Sequence, residues 1–138
     1  MPTDIRFSLP NTPGAFARAA RSLADEGINI EGLGSDIRPG ESWGYLHVLV
    51  TDPDRAVAVL ERNGHEVLDL HEIDIIEVEE NRPGVIADIC QEYADRGENI
   101  EVLYVCSDTR VAVGTESMRR EFMGRRTADT TYSDKRRL

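Results

Sequence analysis

Asn11-Thr12-Pro13-Gly14 returns 70 positions later as Asn81-Arg82-Pro83-Gly84. At the same offset Ala24-Asp25-Glu26-Gly27-Ile28-Asn29-Ile30-Glu31 returns as Ala94-Asp95-Arg96-Gly97-Glu98-Asn99-Ile100-Glu101, with no gap in between. A repeat this long and in register means two copies of one supersecondary unit. In a chain of 138 residues, 40% of them apolar, neither copy can bury much of a core by itself. Two small units sharing an interface are therefore expected.

Apolar periodicity says what the unit is. Ile5, Phe7 and Leu9 alternate, as do Ile76 and Val78, so each copy opens with a half-buried strand. After Pro-Gly the period changes to 3.6: Phe16, Ala19, Ala20 and Leu23 in the first copy, Ile86, Ile89, Cys90 and Tyr93 in the second. These predict amphipathic helices lying on a sheet, ended by Gly27 and Gly97. A second strand leaves from Asn29-Ile30-Glu31 or Asn99-Ile100-Glu101. In the first copy it turns at Arg38-Pro39-Gly40-Glu41 into a third strand, Trp43 to Thr51. In the second a tighter turn near Ser107-Asp108-Thr109 leads to Val111 to Thr115. Asp52-Pro53-Asp54 starts another helix with Ala56, Val57, Val59 and Leu60 inside, stopped by Asn63-Gly64, and Val67 to Ile73 reads as a fourth strand.

The expected fold class is α+β, a ferredoxin-like βαββαβ unit in tandem with its helices on one sheet face. Residues 1–73 form the first domain and 74–124 the second. The second copy has a short helix at Glu116 to Met123 but no alternating apolar run from Gly124 to Leu138, so its C-terminal strand is missing and residues 125–138 read as a disordered basic tail. The segment Val102-Leu103-Tyr104-Val105 is apolar on both parities, whereas an open-faced sheet buries one. A covered second face is expected there, supplied by a homodimer packing sheet against sheet.

Charge narrows the partners. The formal net charge is −10 and Lys135 is the single lysine, which argues against general binding to nucleic acid or anionic membrane. The charge is uneven, since residues 116–138 carry 7 basic against 4 acidic side chains. The N-terminus has charges where a signal peptide needs an apolar stretch, and no segment approaches a membrane span; a cytoplasmic location is expected. Cys90 and Cys106 form no CxxC pair and are expected to stay reduced. Cys90 falls on the helix stripe as a core thiol.

The strand, the Asn-x-Pro-Gly turn, the helix and the Gly-x-Asn-Ile-Glu exit, present in both copies over residues 4 to about 115, resemble the ACT-domain family. They are most similar to its stand-alone proteins of two ACT domains, regulatory modules that bind amino acids. The resemblance implies two domains side by side, their second strands meeting in one continuous antiparallel sheet, with the fourth strand at the outer edge. Losing that strand from the second copy would leave the junction intact. It also implies ligands at the junction, between the strand-to-helix turn of one domain and the second strand of its neighbour.

The chemistry of the turn agrees with that implication. A zwitterion needs donors for its carboxylate and acceptors for its ammonium. Amides at a helix start, here Gly14 and Ala15 or Gly84 and Val85, offer the first, aided by the helix dipole. Asn11 and Asn81 have an acceptor and donors to present beside them. Asn29 and Asn99, followed by Ile30 and Ile100, match the other asparagine of family sites. Each asparagine also has a plainer role open to it, capping a helix or completing a turn. Some members carry histidine two residues before the turn asparagine, where this chain has Leu9 and Glu79, which argues against serine-like ligands. Thr12 against Arg82 makes the two sites unequal.

No phosphate loop, nucleophile elbow or Ser/His/Asp set is present. His47, His65 and His71 lack metal-ligand spacing and read as surface or structural residues. No cofactor is implied. The sequence thus points to a non-enzymatic amino-acid sensor, binding a small amino acid and forming a homodimer. A second reading is a trans-acting regulatory subunit of an amino-acid biosynthetic enzyme.

Overall fold

The computed structural model describes residues 2–119. The expected disordered tail, the lack of a final strand and the second half of the helix expected at Glu116 to Met123 lie outside the described residues; 116–119 are helical as expected. The element order is β1 (Thr3–Pro10), α1 (Ala15–Asp25), β2 (Gly32–Asp36), β3 (Trp43–Val50), α2 (Pro53–Arg62), β4 (Val67–Glu72), β5 (Asp74–Glu77), α3 (Val85–Asp95), β6 (Ile100–Ser107) and β7 (Arg110–Thr115). β1 to β4 form an antiparallel sheet in the order β2-β3-β1-β4, and the second copy repeats this as β5-β7-β6. Both are parts of a ferredoxin-like unit, so the α+β tandem read from the repeat is the observed fold.

Local chemistry explains the helix ends. Past Gly27 and Gly97 the next amide reaches back to the helix: Ile28 N donates to Leu23 O at 3.0 Å and Glu98 N to Tyr93 O at 2.9 Å. Ile28 and Leu23 are both buried, which gives the first cap its usual apolar contact. Asp52 caps α2 by accepting from Arg55 N at 3.3 Å, with Pro53 in the first helical position. The buried stripe of α1 is Ala15, Ala19 and Leu23, spaced by four. Phe16 remains 46% exposed, and Ala20 is exposed as well. The helix touches its sheet through a narrower face than the sequence pattern suggests. α3 follows with Val85, Ile89 and Tyr93, leaving Cys90 half-buried.

Each copy has a core between its helices and its sheet. The first is built on Ile5, Phe7, Leu9, Leu23, Val48 and Leu60, the second on Val85, Ile89, Tyr93, Val111 and Val113. A third apolar cluster lies between the two sheets: Leu49, Ile73 and Ala112, flanked by Ile75, Val102, Tyr104 and Cys106. The expected covered face on β6 is therefore real, but its cover is the first copy's sheet in the same chain and not a second chain. Two glycines let the layers approach. A Cβ at Gly32 would fall 2.9 Å from Cys106 Sγ, and one at Gly114 2.6 Å from His71 Nδ1.

This stacking replaces the single side-by-side sheet. β2 pairs only with β3 and β6 only with β7, so no ladder joins the copies. Ile73 alone separates β4 from β5, and in that one residue the chain passes from one layer to the other. Burying Leu49, Ala112 and Val102 between the sheets removes apolar area from water, which pairing at an edge does not. The link is polar as well as apolar, since Tyr104 donates its hydroxyl to buried Asp4 at 2.8 Å. Burial and then the Asp4 charge push the Tyr104 pKa far up, so the hydroxyl stays a donor.

Candidate functional site

The two strand-to-helix turns are built alike. Gly14 at φ 87° and Gly84 at φ 93° are the residues from which α1 and α3 start, and neither helix has a side-chain cap. Only glycine adopts this left-handed conformation without a Cβ clash, and it leaves the backbone open to a ligand. The capping role left open for Asn11 and Asn81 is therefore not used. Asn11 instead ties the turn to the loop between β2 and β3, its N donating to Ser42 O at 2.8 Å and its Nδ2 to Glu41 O at 2.9 Å.

Ala15 N donates to Thr12 O and Val85 N to Arg82 O, each at 3.2 Å. These two amides close the turns, so the donors at the start of α1 are those of its next positions, Phe16 and Ala17, which have no carbonyl a turn earlier to receive them. Asn11, Thr12, Gly14 and Ala15 line a groove of about 500 Å³ together with Phe16 and Ala17. Ser35 and Ile37, at the end of β2, form its other side. Sequence reasoning placed Phe16 in the core and missed Ser35 and Ile37. The signal for the last two exists only in the antiparallel return of β2 past the turn.

The other sequence candidates lie elsewhere. Asn29 is exposed ahead of β2, and Ile30 packs on the first core. Asn99 accepts from Glu116 N at 2.9 Å through its main-chain oxygen, and Ile100 packs on the second core. None of the four lines the groove at Asn11. A junction between the turn of one copy and the second strand of the other is not assembled within the chain, because stacking leaves β2 and β6 as unpaired edges.

The second turn differs in charge. Arg82 folds back across its own turn, donating to Pro83 O at 3.1 Å and to Asp88 Oδ2 at 3.2 Å. The pair is largely exposed and contributes little stability, but it neutralises the cation. At the matching positions the first turn has Thr12 and Arg18. The Arg18 guanidinium reaches within 2.9 Å of where a Cβ on Gly14 would stand, and no carboxylate of the described residues pairs with it. A helix start with an unneutralised arginine favours a carboxylate more than one whose arginine is already paired.

Three further groups lie outside the turns. His65 sits edge-on to Phe7, with ring centroids 5.3 Å apart, and burial lowers its pKa. His47 Nδ1 contacts Asp4 at 2.9 Å. Burial pushes the Cys106 thiol up, which makes a poor nucleophile. Among the described residues no cluster of His, Cys, Asp and Glu has metal-site geometry, and no helix is long and apolar enough to cross a membrane.

Residues 3–62 match the family model described as ACT domain. Among solved structures, a protein from Bacteroides thetaiotaomicron superposes with a TM-score of 0.71 at 23% identity, covering 99% of this chain and 96% of that one. The ligand-free regulatory subunit of aspartate kinase from Thermus thermophilus gives 0.65 at 25% identity, covering 86% and 88%. The aspartokinase alpha and beta subunits give 0.61 at 17%, covering 94% and 93%. No curated protein matches the chain.

Proposed function

Residues 3–62 are an ACT domain, and from that premise we propose that the chain is a non-catalytic, cytoplasmic regulatory protein whose first turn binds a small amino acid. The observation that carries this reading is that the matched segment contains the Asn11 to Gly14 turn, where a left-handed glycine opens a helix start onto a groove of about 500 Å³. The ligand carboxylate meets the amides at the start of α1 and the charge of Arg18, and Asn11 and Thr12 offer oxygen acceptors to its ammonium. The second turn, whose Arg82 is already paired with Asp88, binds more weakly or not at all.

A ligand selective for the folded state raises stability, by about 2.7 kcal/mol at a hundred times its Kd. In a thermal-shift panel of the standard amino acids at millimolar concentration, at least one is expected to raise the melting temperature. Silence across the whole panel would sink the reading.

A second reading rests on the unpaired edges. β2 and β6 lie on the same side of the stack, and Leu33, Leu103 and Val105 are 57%, 38% and 47% exposed along them. An open edge with apolar side chains is a template for another chain. Placing β2 of one copy beside β6 of a second continues both sheets and brings the partner's second strand to the first turn, completing the junction. The same edge suits a biosynthetic enzyme regulated in trans, a role supported by the likeness to a regulatory subunit of aspartate kinase. Sedimentation at micromolar concentration is expected to give a dimer, and co-purification from the native extract tests for the enzyme. A monomer recovered free of partners contradicts both forms of this reading.

A further inference from the structure

His71 occupies a place that requires two protons. Its side chain is 4% exposed. Nδ1 lies 2.8 Å from the main-chain oxygen of Glu72, and Nε2 lies 3.3 Å from Glu101 Oε1. A carbonyl oxygen only accepts. Glu101 is held as a carboxylate by Arg119, whose Nε is 2.6 Å from the same oxygen, and this contact lowers its pKa. Two acceptors need two donors, so both ring nitrogens must carry hydrogen for both contacts to form. The ring has no room to turn away, because the Gly114 backbone of β7 packs directly on it.

We propose that the interface between the two repeats is a proton-dependent latch: His71, protonated at both nitrogens, ties β4 of the first sheet to Glu101 of the second, and loss of its second proton loosens the two layers. The charged groups facing the ring come from every element around it. Asp69 is on its own strand, Asp4 and Arg6 on β1, His47 on β3, Glu101 on β6 and Arg119 after β7, and all line one cavity of about 350 Å³. Most are already engaged: Asp4 with His47 and Tyr104, Arg6 over the Tyr45 ring at 4.1 Å. Glu101 is the carboxylate that meets Nε2, so the latch turns on that pair. It joins the two repeats beside Ile73, the residue where the chain changes layers.

The sign follows from the contact. The proton makes it, so its stabilisation is present at low pH and is lost as pH rises. His65 acts in the opposite sense. Its lowered pKa means the fold resists its protonation, so stability is lost as pH falls. A single pH curve therefore mixes histidines of opposite sense, and the test compares variants.

Melting of the full chain at pH 6 and pH 8.5 is expected to show wild type losing about 3 °C more across that interval than His71→Gln or Glu101→Gln. Equal losses in all three overturn the latch. Should the variants fail to fold, long-range proton–nitrogen spectra of the wild-type rings at pH 6 decide it. Protons on both nitrogens of His71 are expected, and one bare nitrogen overturns the proposal.

Discussion

Replacing Gly114 with valine is expected to lower stability by about 1–3 kcal/mol, because extra methylenes in a packed layer force neighbours off their rotamers. For a chain of this size that is roughly 3–15 °C in melting temperature. The first added atom would stand 2.6 Å from His71 Nδ1, 2.7 Å from its Cε1 and 3.0 Å from Ile73 Cδ1. None of these is a flexible tip free to move aside, since His71 is fixed at both nitrogens and Ile73 is buried between the sheets. Valine's second branch adds to the crowding. The control is Gly34→Ala on β2, where nothing lies within 4 Å of the added carbon and the change should fall within about 0.5 kcal/mol. Urea denaturation of both variants measures the difference. If Gly114→Val unfolds at the wild-type midpoint, the two sheets are not packed face to face at this point.

Gly14→Ala is expected to abolish the amino-acid-induced rise in melting temperature, corresponding to at least about a tenfold loss of affinity, while Gly84→Ala leaves it in place. Both glycines have positive φ, so each substitution should also cost about 1–2 kcal/mol in the absence of ligand. That shared backbone cost separates damage to the fold from damage to the site. The difference between them comes from the ligand side: Gly14 lines the groove and has an arginine beside it that no carboxylate of the described residues pairs, whereas the arginine beside Gly84 is already paired with Asp88. Measuring the thermal shift of each variant with the amino acid that stabilises wild type gives the comparison. If both variants keep the shift, the ligand does not sit at the turns; if Gly84→Ala alone loses it, the assignment of the two turns is reversed.

Much of the fold was legible from spacing. Ile5, Phe7 and Leu9 are all fully buried against the helices, and α2 buries the four residues its pattern selected. Phe16 failed because a period of 3.6 defines an apolar face but not how much of it the sheet covers. It remains at the groove, where an exposed aromatic edge is available to a ligand. His71 was read as structural or superficial because a lone histidine between Leu70 and Glu72 has no spacing signal. Its acceptors are the carbonyl of Glu72 and the carboxylate of Glu101, 30 residues away.

What the sequence determined by itself was the unit: strand, glycine-started helix, capped exit and antiparallel return, written twice with the inequality of Thr12 and Arg82 inside it. Those features depend on contacts within a few residues or on one amphipathic face, and both leave a periodic trace. Only the tertiary structure decided how the two units meet. The apolar second face of β6 showed that a cover was needed, but any apolar surface meets that need, because burial is non-directional. Gly32, Gly114 and the single-residue crossover at Ile73 made the first copy's sheet that cover. The same choice left the β2 and β6 edges open and put His71 and Glu101 in contact.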